Sequence, residues 1–434
     1  MRSRKSLIAV AAIAGLVLAA CSDDKKSDDS AATTTEAMAT TTSGATTEST
    51  VYTPPERGDA DLVIWADNTR VPVLEPVAEA FAAAEGIKVS VLEVPSDQIR
   101  DQLSKAGPAG QGPDIIVGAH DWLGELVSNG AVAPIDLGDA AAGYSDVAIQ
   151  AFTYEGKVYG LPYAIENIAL IRNADLVPTA PATWEELEAT ALQLKADGKV
   201  DVPLAVQEVD PYHNFPLFSM TGANVFFQNA DGTYDPSQLG LDTPEALQSA
   251  KNFAAWSAEG LISKDVTYDI MIDSFGAGKA PFAITGPWAV NDGERGFKVK
   301  GVNYVVEPIP PMADGTTPRV FVGVQGFMVS NFSTNQDLAK TFVLDYLNSE
   351  DVMLKLFEVG GRAPAMTSAF EQVSSDPDIQ GFGLAGQAGE PMPAIPAMSK
   401  VWQAWTDAYT QVFTGTDPEQ AFKDAAAAIR AEIG

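Results

Sequence analysis

From residue 62 onward, apolar and polar positions switch repeatedly between two periods. Leu62-Val-Ile-Trp65 is a short unbroken apolar run, closed by the turn-prone Ala66-Asp-Asn-Thr69. Between Val73 and Glu85, the residues Leu74, Val77, Ala80 and Phe81 fall on one helical face, and Gly86 stops the helix. Ile87-Lys-Val-Ser-Val91 alternates as a half-buried strand, and 96–106 is helical. Pro113-Asp-Ile-Ile-Val-Gly118 reads as a buried strand, and Trp122 to Ser128 as a further helix. This β-α-β-α-β order predicts parallel strands joined by crossover helices.

The same punctuation continues. Thr183-Trp-Glu-Glu186 carries a capping box and opens a helix to about Lys195. Glu245 to Glu259, Gln336 to Leu347 and Pro418 to Ile433 have helical spacing, the last with Ala421, Phe422, Ala425 and Ile429 on one side. Ala280-Pro-Phe-Ala-Ile-Thr285 and Val320-Phe-Val-Gly-Val324 read as apolar strands. The fold class is α/β. The roughly 375 residues after Gly58 suit two lobes better than one core.

The first 57 residues follow neither period. Arg2, Arg4 and Lys5 precede an apolar run from Leu7 to Ala20, too short to span a bilayer, which takes about 20 residues. This reads as a cleaved export signal, residues 1–20. Leu18-Ala-Ala-Cys21 closes it, and Cys21 is the sole cysteine, with no disulfide partner. The arrangement resembles the lipobox of bacterial lipoproteins, in which that cysteine is lipidated and becomes the first mature residue. Residues 22–57 are mostly Ser, Thr, Ala, Asp and Lys, and cannot bury enough apolar surface to order themselves. They read as a disordered tether, 21–57 with the cysteine, of about 30–35 Å. No later apolar segment is long enough to cross a membrane.

Charge narrows the partners. The formal net charge is −31, and loss of the signal removes three cations, so the mature chain is more acidic still. Such a surface excludes nucleic acid and peripheral binding to anionic lipid, and it favours a neutral or cationic ligand. Enzyme chemistry finds little material. His120 and His213 are the only histidines. No Cys/His cluster has metal-ligand spacing, no nucleophile elbow occurs, and Gly276-Ala-Gly-Lys279 lacks the features of a phosphate loop. Carboxylates are plentiful, so a glycosidase pair remains open.

The tryptophans say more. Trp65, Trp184 and Trp256 sit in predicted elements with apolar neighbours and belong to the core. Trp288 follows a strand end in Gly286-Pro287-Trp288, where a side chain can project into a cleft. Trp402 and Trp405 follow Pro393 and Pro396 at a loop-to-helix transition. An indole laid on the C–H face of a sugar ring removes both surfaces from water, and carboxylates and amides then meet the hydroxyls.

At these residues the chain resembles the maltose/maltodextrin-binding family of ABC-importer solute-binding proteins, from about Leu62 to the C-terminus. The motifs are Gly-Pro-Asp-Ile-Ile with Ala-His-Asp within 112–121, Pro162-Tyr-Ala-Ile-Glu166, Thr183-Trp-Glu-Glu186, Thr285-Gly-Pro-Trp288, Phe321-Val-Gly-Val324, and Met392-Pro-Ala-Ile-Pro-Ala-Met398 leading to Trp402. The resemblance implies a two-lobe, type II periplasmic-binding-protein-like fold with a cleft between the lobes. It puts 58–165 and 325–371 in the first lobe, and 166–324 and 372–434 in the second. It implies a monomeric receptor that binds maltodextrin-type α-glucan oligosaccharides, needs no cofactor or metal and breaks no bond. Held outside the cytoplasm by its lipid, the receptor would deliver the sugar to the permease of an ABC importer.

Residue by residue, the resemblance makes Asp121 and Glu166 sugar-binding acids, Tyr212 an aromatic contact after Pro211, and Asp210 the acid before that proline, with Glu208 close by. Trp288 and Trp402 become stacking platforms, Met392 a further contact, and Arg70, with Asn68 and Thr69, takes the place of a lysine in the first loop. There are departures. A tryptophan of the family is Gly118 here, an arginine is Trp122, and two groups near Trp402 are Gln403 and Thr406. Trp122 or Trp405 could rebuild the platform, so both join the expected site. The departures leave other oligosaccharides open, such as trehalose or a galactoside. Taken by residue type alone, Asp121 and Glu166 are solvated loop acids, His120 is a satisfied structural histidine, and Gly118 and Gly323 allow close backbone approach.

Overall fold

Strand Leu62–Ala66 is buried at every position, which is why its sequence is apolar throughout and not alternating. It pairs in parallel with Val89–Glu93 on one side and with Ile115–Ala119 on the other, and helices Val71–Glu85 and Ser96–Ala106 make the crossovers. Val89–Glu93 is the edge of the sheet and is only half-buried, so the alternation expected at 87–91 falls two residues later. The computed structural model describes residues 52–207, 209–229 and 233–434. The expected export signal, Cys21, the tether through Val51, and Glu208 lie outside them. Residues 52–57, expected to be the end of the tether, are instead tied to the body. Gln102 donates to the Tyr52 carbonyl, and Arg57 pairs with buried Asp114 at 2.7 Å.

Beyond Ile115–Ala119 the sheet turns antiparallel. Strand Phe321–Ser330 lies between Ile115–Ala119 and Gly160–Asn167, and Ala363–Pro364 closes that edge. Pro162 has no amide hydrogen to offer a central ladder. The register shifts between Gln325 and Gly326, opposite Ala164 and Pro162, and that irregularity accommodates the proline.

A single residue, Ile168, separates Gly160–Asn167 from Ala169–Asn173, which lies in a second sheet of four strands. There Ala169–Asn173 runs antiparallel to Phe282–Thr285 and Tyr304–Glu307, and Ala205–Val206 completes the sheet. Leu62, Ile64, Phe81, Ile116, Phe327 and Phe342 belong to one hydrophobic core. Trp184, Phe218, Phe253, Trp256, Trp405 and Tyr409 belong to another. Trp65, Trp184 and Trp256 are core residues, as expected. Helix Trp184–Ala196 starts on its cap, with the Thr183 hydroxyl accepting from the Glu186 amide at 3.3 Å. Among the described residues no helix is long and apolar enough to cross a membrane.

Candidate functional site

Two indoles owe their placement to glycines. Pro287 starts a one-turn helix, Pro287–Val290, straight after strand Phe282–Thr285 and Gly286. The Trp288 ring folds back over Gly286, where a Cβ would overlap its six-membered ring. Trp122, at the end of the turn His120–Trp122, lies over Gly118 in the same way. Only glycine leaves room for a ring at these points. The indole of Trp122 thus covers position 118, and it packs against both large cores.

A wall of aromatic rings joins Trp402 to Trp288 through Phe321, which is itself buried and stacks on Phe215 at 3.7 Å behind the half-buried Trp402, Tyr212 and Trp288. Trp402 meets Phe321 edge-on at 6.2 Å, and Phe321 stacks with Tyr212 at 6.3 Å. Tyr212 then stands 6.2 Å from Trp288, with ring planes 40° apart. Both tryptophans are half-buried. Trp405 does not belong to this wall, and the expectation that it helps form the platform is corrected. Its ring has no exposed surface and packs against Phe218 at 4.7 Å and Tyr409 at 5.8 Å.

Charged groups frame the wall. Arg362, 7% exposed, donates from Nε to Glu166, and Gln325 donates to the other Glu166 oxygen at 2.7 Å. The Arg362 guanidinium carbon also lies 5.2 Å from the Trp288 ring centroid, a cation–π contact. Asp121 is buried beside the Trp402 indole, which favours its charged form. Burial pushes its carboxyl up to about 6, against the pull of Arg100. Met392 is buried, and its methyl group and the Glu166 side chain both crowd the space over Gly323.

Arg70 is buried, donates from Nε to the Tyr163 hydroxyl at 2.6 Å, and pairs with Asp67. Thr69 donates to Asp67 through its hydroxyl at 2.7 Å and its amide at 3.1 Å, while Asn68 is exposed. Burial pushes the Asp67 carboxyl up, but Arg70, Arg362 and the Thr69 bonds outweigh it and hold the group below the usual range. Asp210 has both oxygens occupied, one by the Tyr212 amide and one by His213 Nδ1, each at 2.8 Å. His120 is a satisfied structural histidine. Nδ1 accepts from the Val324 amide at 3.1 Å, the ring also bonds the Met392 backbone, and burial pushes the imidazole down to about 4.

Sequence reasoning missed Asp67, Tyr163, Phe321 and Arg362 as members of this cluster. Asp67 carries a local signal, since Asp-x-Thr spacing makes an Asx turn. Arg362 carries none beyond the preceding glycine pair. Gly360 matters there, because a Cβ on it would stand 2.8 Å from Arg362 Nη1. No group of metal-binding residues occurs among the described residues.

Comparison with known proteins agrees with this architecture. A family described as "Bacterial extracellular solute-binding protein" matches residues 77–381. The "Galactooligosaccharide-binding protein" of Bacillus subtilis (strain 168) is 29% identical over 388 residues, covering 86% of this chain and 90% of the relative. The "Maltotriose-binding protein" of Pyrococcus abyssi (strain GE5 / Orsay) is 30% identical over 378 residues, covering 84% and 80%. Among solved structures, the Thermus thermophilus maltotriose binding protein bound with maltotriose superposes with a TM-score of 0.78 at 31% identity, covering 86% of this chain and 100% of that one. The fold is the type II periplasmic-binding fold, and the protein is a binding protein and not an enzyme. With its two large sheets, its aromatic wall and these relatives, the chain belongs to the bacterial extracellular solute-binding protein family.

Proposed function

We propose that this chain is the sugar receptor of an ABC importer and binds maltodextrin-type α-glucan oligosaccharides. The observation that carries the reading is the row of half-buried rings Trp402, Tyr212 and Trp288, bridged from behind by buried Phe321, with Asp121 beside Trp402 and Arg362, paired with Glu166, against Trp288. Flat rings suit the apolar faces of pyranose rings, and the charged groups suit their hydroxyls. Asp121, Trp122 and Arg70 would act from lobe 1, residues 58–165 and 325–371. Tyr212, Trp288, Met392 and Trp402 would act from lobe 2, residues 166–324 and 372–434. A ligand that touches both lobes stabilises the closed form, because only that form supplies both sets of contacts. The permease then reads the closed shape. The receptor acts as a monomer on the outer face of the membrane, held by lipid on Cys21. Cys21→Ser is expected to free the protein from the membrane fraction, and retention there would refute the anchor.

A second reading has specific support. The relative from Bacillus subtilis is named for galactooligosaccharides, and the indole of Trp122 over Gly118 gives the wall a ring at a position where the resemblance does not expect one. Thermal shift against maltotriose, trehalose and β-1,4-galactotriose separates the readings, since a ligand that binds only the native state raises the midpoint. Maltotriose is expected to raise it most. A larger rise with galactotriose selects the second reading, and no rise with any of the three sinks both.

A further inference from the structure

Ten buried side-chain polar atoms among the described residues have no hydrogen-bond partner, and four of them belong to the candidate site or to elements that form it: Arg70 Nη2, Tyr212 OH, His213 Nε2 and Thr285 Oγ1. Buried polar atoms are almost always paired, so each such atom calls for an explanation. Arg70 and Tyr212 are already expected to meet the ligand. His213 is not, and its surroundings are the most informative of the four.

His213 sits in the first turn of helix Pro211–Ser219 and is 5% exposed. Asp210 fixes the ring. One Asp210 oxygen caps the helix through the Tyr212 amide, and the other lies 2.8 Å from His213 Nδ1. Burial pushes the Asp210 carboxyl up, but the His213 ring and the bonds from His213 and Tyr212 outweigh that and keep the group below the usual carboxylate range. An ionised carboxylate can only accept, so Nδ1 carries the hydrogen between them. The ring therefore has one atom to spare, Nε2. It stands at 90° to Trp288 with centroids 5.9 Å apart, and at 79° to Tyr212 at 5.5 Å. A histidine held by its far nitrogen against a stacking tryptophan is built to address whatever lies on that tryptophan.

We propose that His213 Nε2 bonds a ring hydroxyl of the sugar that stacks on Trp288, and that Asp210 is a positioning residue acting through His213. This rests on the sugar-receptor reading above. A hydroxyl suits the site because it can donate to a bare Nε2 or accept from a protonated one. A ligand with only C–H at that point would leave Nε2 unpaired and be rejected, so the residue sets specificity as well as affinity. Each Asp210 oxygen already accepts one hydrogen bond from its own helix turn, and its effect on binding runs through the ring it holds.

Calorimetric titration with maltotriose, or with β-1,4-galactotriose if that is the better ligand, tests this. His213→Phe keeps the ring against Trp288 and removes both nitrogens. It is expected to weaken binding about tenfold or more, with the unliganded melting curve still cooperative. Asp210→Ala is expected to weaken binding in the native background and to add little in the His213→Phe background, because the two act as one unit. A purely structural role for Asp210 would cost the same in both backgrounds. A measurement on the unmodified protein stands beside these. With only two histidines in the chain, nitrogen-15 spectra of histidine-labelled protein follow Nε2 directly, and the His213 signal is expected to shift on adding sugar while His120 stays put. Binding within twofold of native for His213→Phe, or an unmoved His213 signal at saturation, overturns the proposal and leaves the receptor reading standing. If the native protein binds no sugar of the panel, both fall together.

Discussion

Trp402 and Trp405 lie three residues apart on one helix, Val401–Phe413, yet they occupy different chemical worlds. Trp402 is half-buried, lies beside Asp121 and meets Phe321 at the end of a row of rings. Trp405 has no exposed surface and touches Phe218 and Tyr409. The crevice wall and the core behind it are made from the same side chains. What separates them is the company of polar groups. In the core, rings are packed by other rings, and polar atoms are few. In the wall, Trp288 lies against the Arg362 guanidinium and Trp402 lies beside Asp121, and both keep part of their surface exposed. Unpartnered polar atoms occur on both sides, since Trp405 Nε1 and the Tyr409 hydroxyl also lack partners, so partial exposure beside a charge is what sets a platform apart from a core ring.

Three measurements can break or sharpen that contrast. The largest effect is expected from Trp405→Ala, which opens a core cavity and should cost about 3–5 kcal/mol of folding stability. It should leave the affinity of the folded protein within about twofold of native. A large loss of affinity with unchanged melting would return Trp405 to the wall. Next come Trp288→Ala and Trp402→Ala, expected to weaken sugar binding by about 2–4 kcal/mol, as at an aromatic hot spot. That corresponds to a roughly 30- to 1,000-fold rise in dissociation constant, seen by titration, with smaller changes in the unliganded midpoint. Were both to melt early and bind normally, wall and core would be the same thing.

The smallest effect comes from Asp121. Its folded carboxyl is pushed up to about 6 by burial, above the value of about 3.9 for an unfolded chain. Between those two pH values the native protein holds a proton that the unfolded chain has lost. This group's contribution to stability therefore falls as pH rises through the window. Asp121→Asn should flatten the dependence of the melting midpoint on pH there, and an unchanged profile would show that burial does not govern this carboxyl.

Much of the fold was legible because its determinants are local. The helix start at Thr183 follows from its cap, the end of Val71–Glu85 from Gly86 in the left-handed region, and the parallel opening of the first sheet from its apolar runs and crossovers. The central position of Phe321–Ser330 was not legible. Its ten residues were seen only in part, and its neighbours 115–119 and 160–167 are remote in the chain. Pro162 marks no central strand by itself, and its place in the ladder depends on the register irregularity opposite it. The cluster around Glu166 divides in the same way. Glu166, Asp121, Trp288 and Trp402 stand within motifs of the resemblance, whereas Arg362 reaches Glu166 from 196 positions away with no local mark. Asp210 was legible as an acid before a proline, but its use as a helix cap and histidine clamp depends on geometry.

The glycine beneath Trp122 has a consequence for how such chains diverge. Any side chain at 118 would evict the ring that now covers it, so positions 118 and 122 cannot drift separately. In space a bare backbone at 118 and an indole at 122 are one arrangement, so a bulky residue introduced at 118 would reach the surroundings of 122 as directly as a substitution made there.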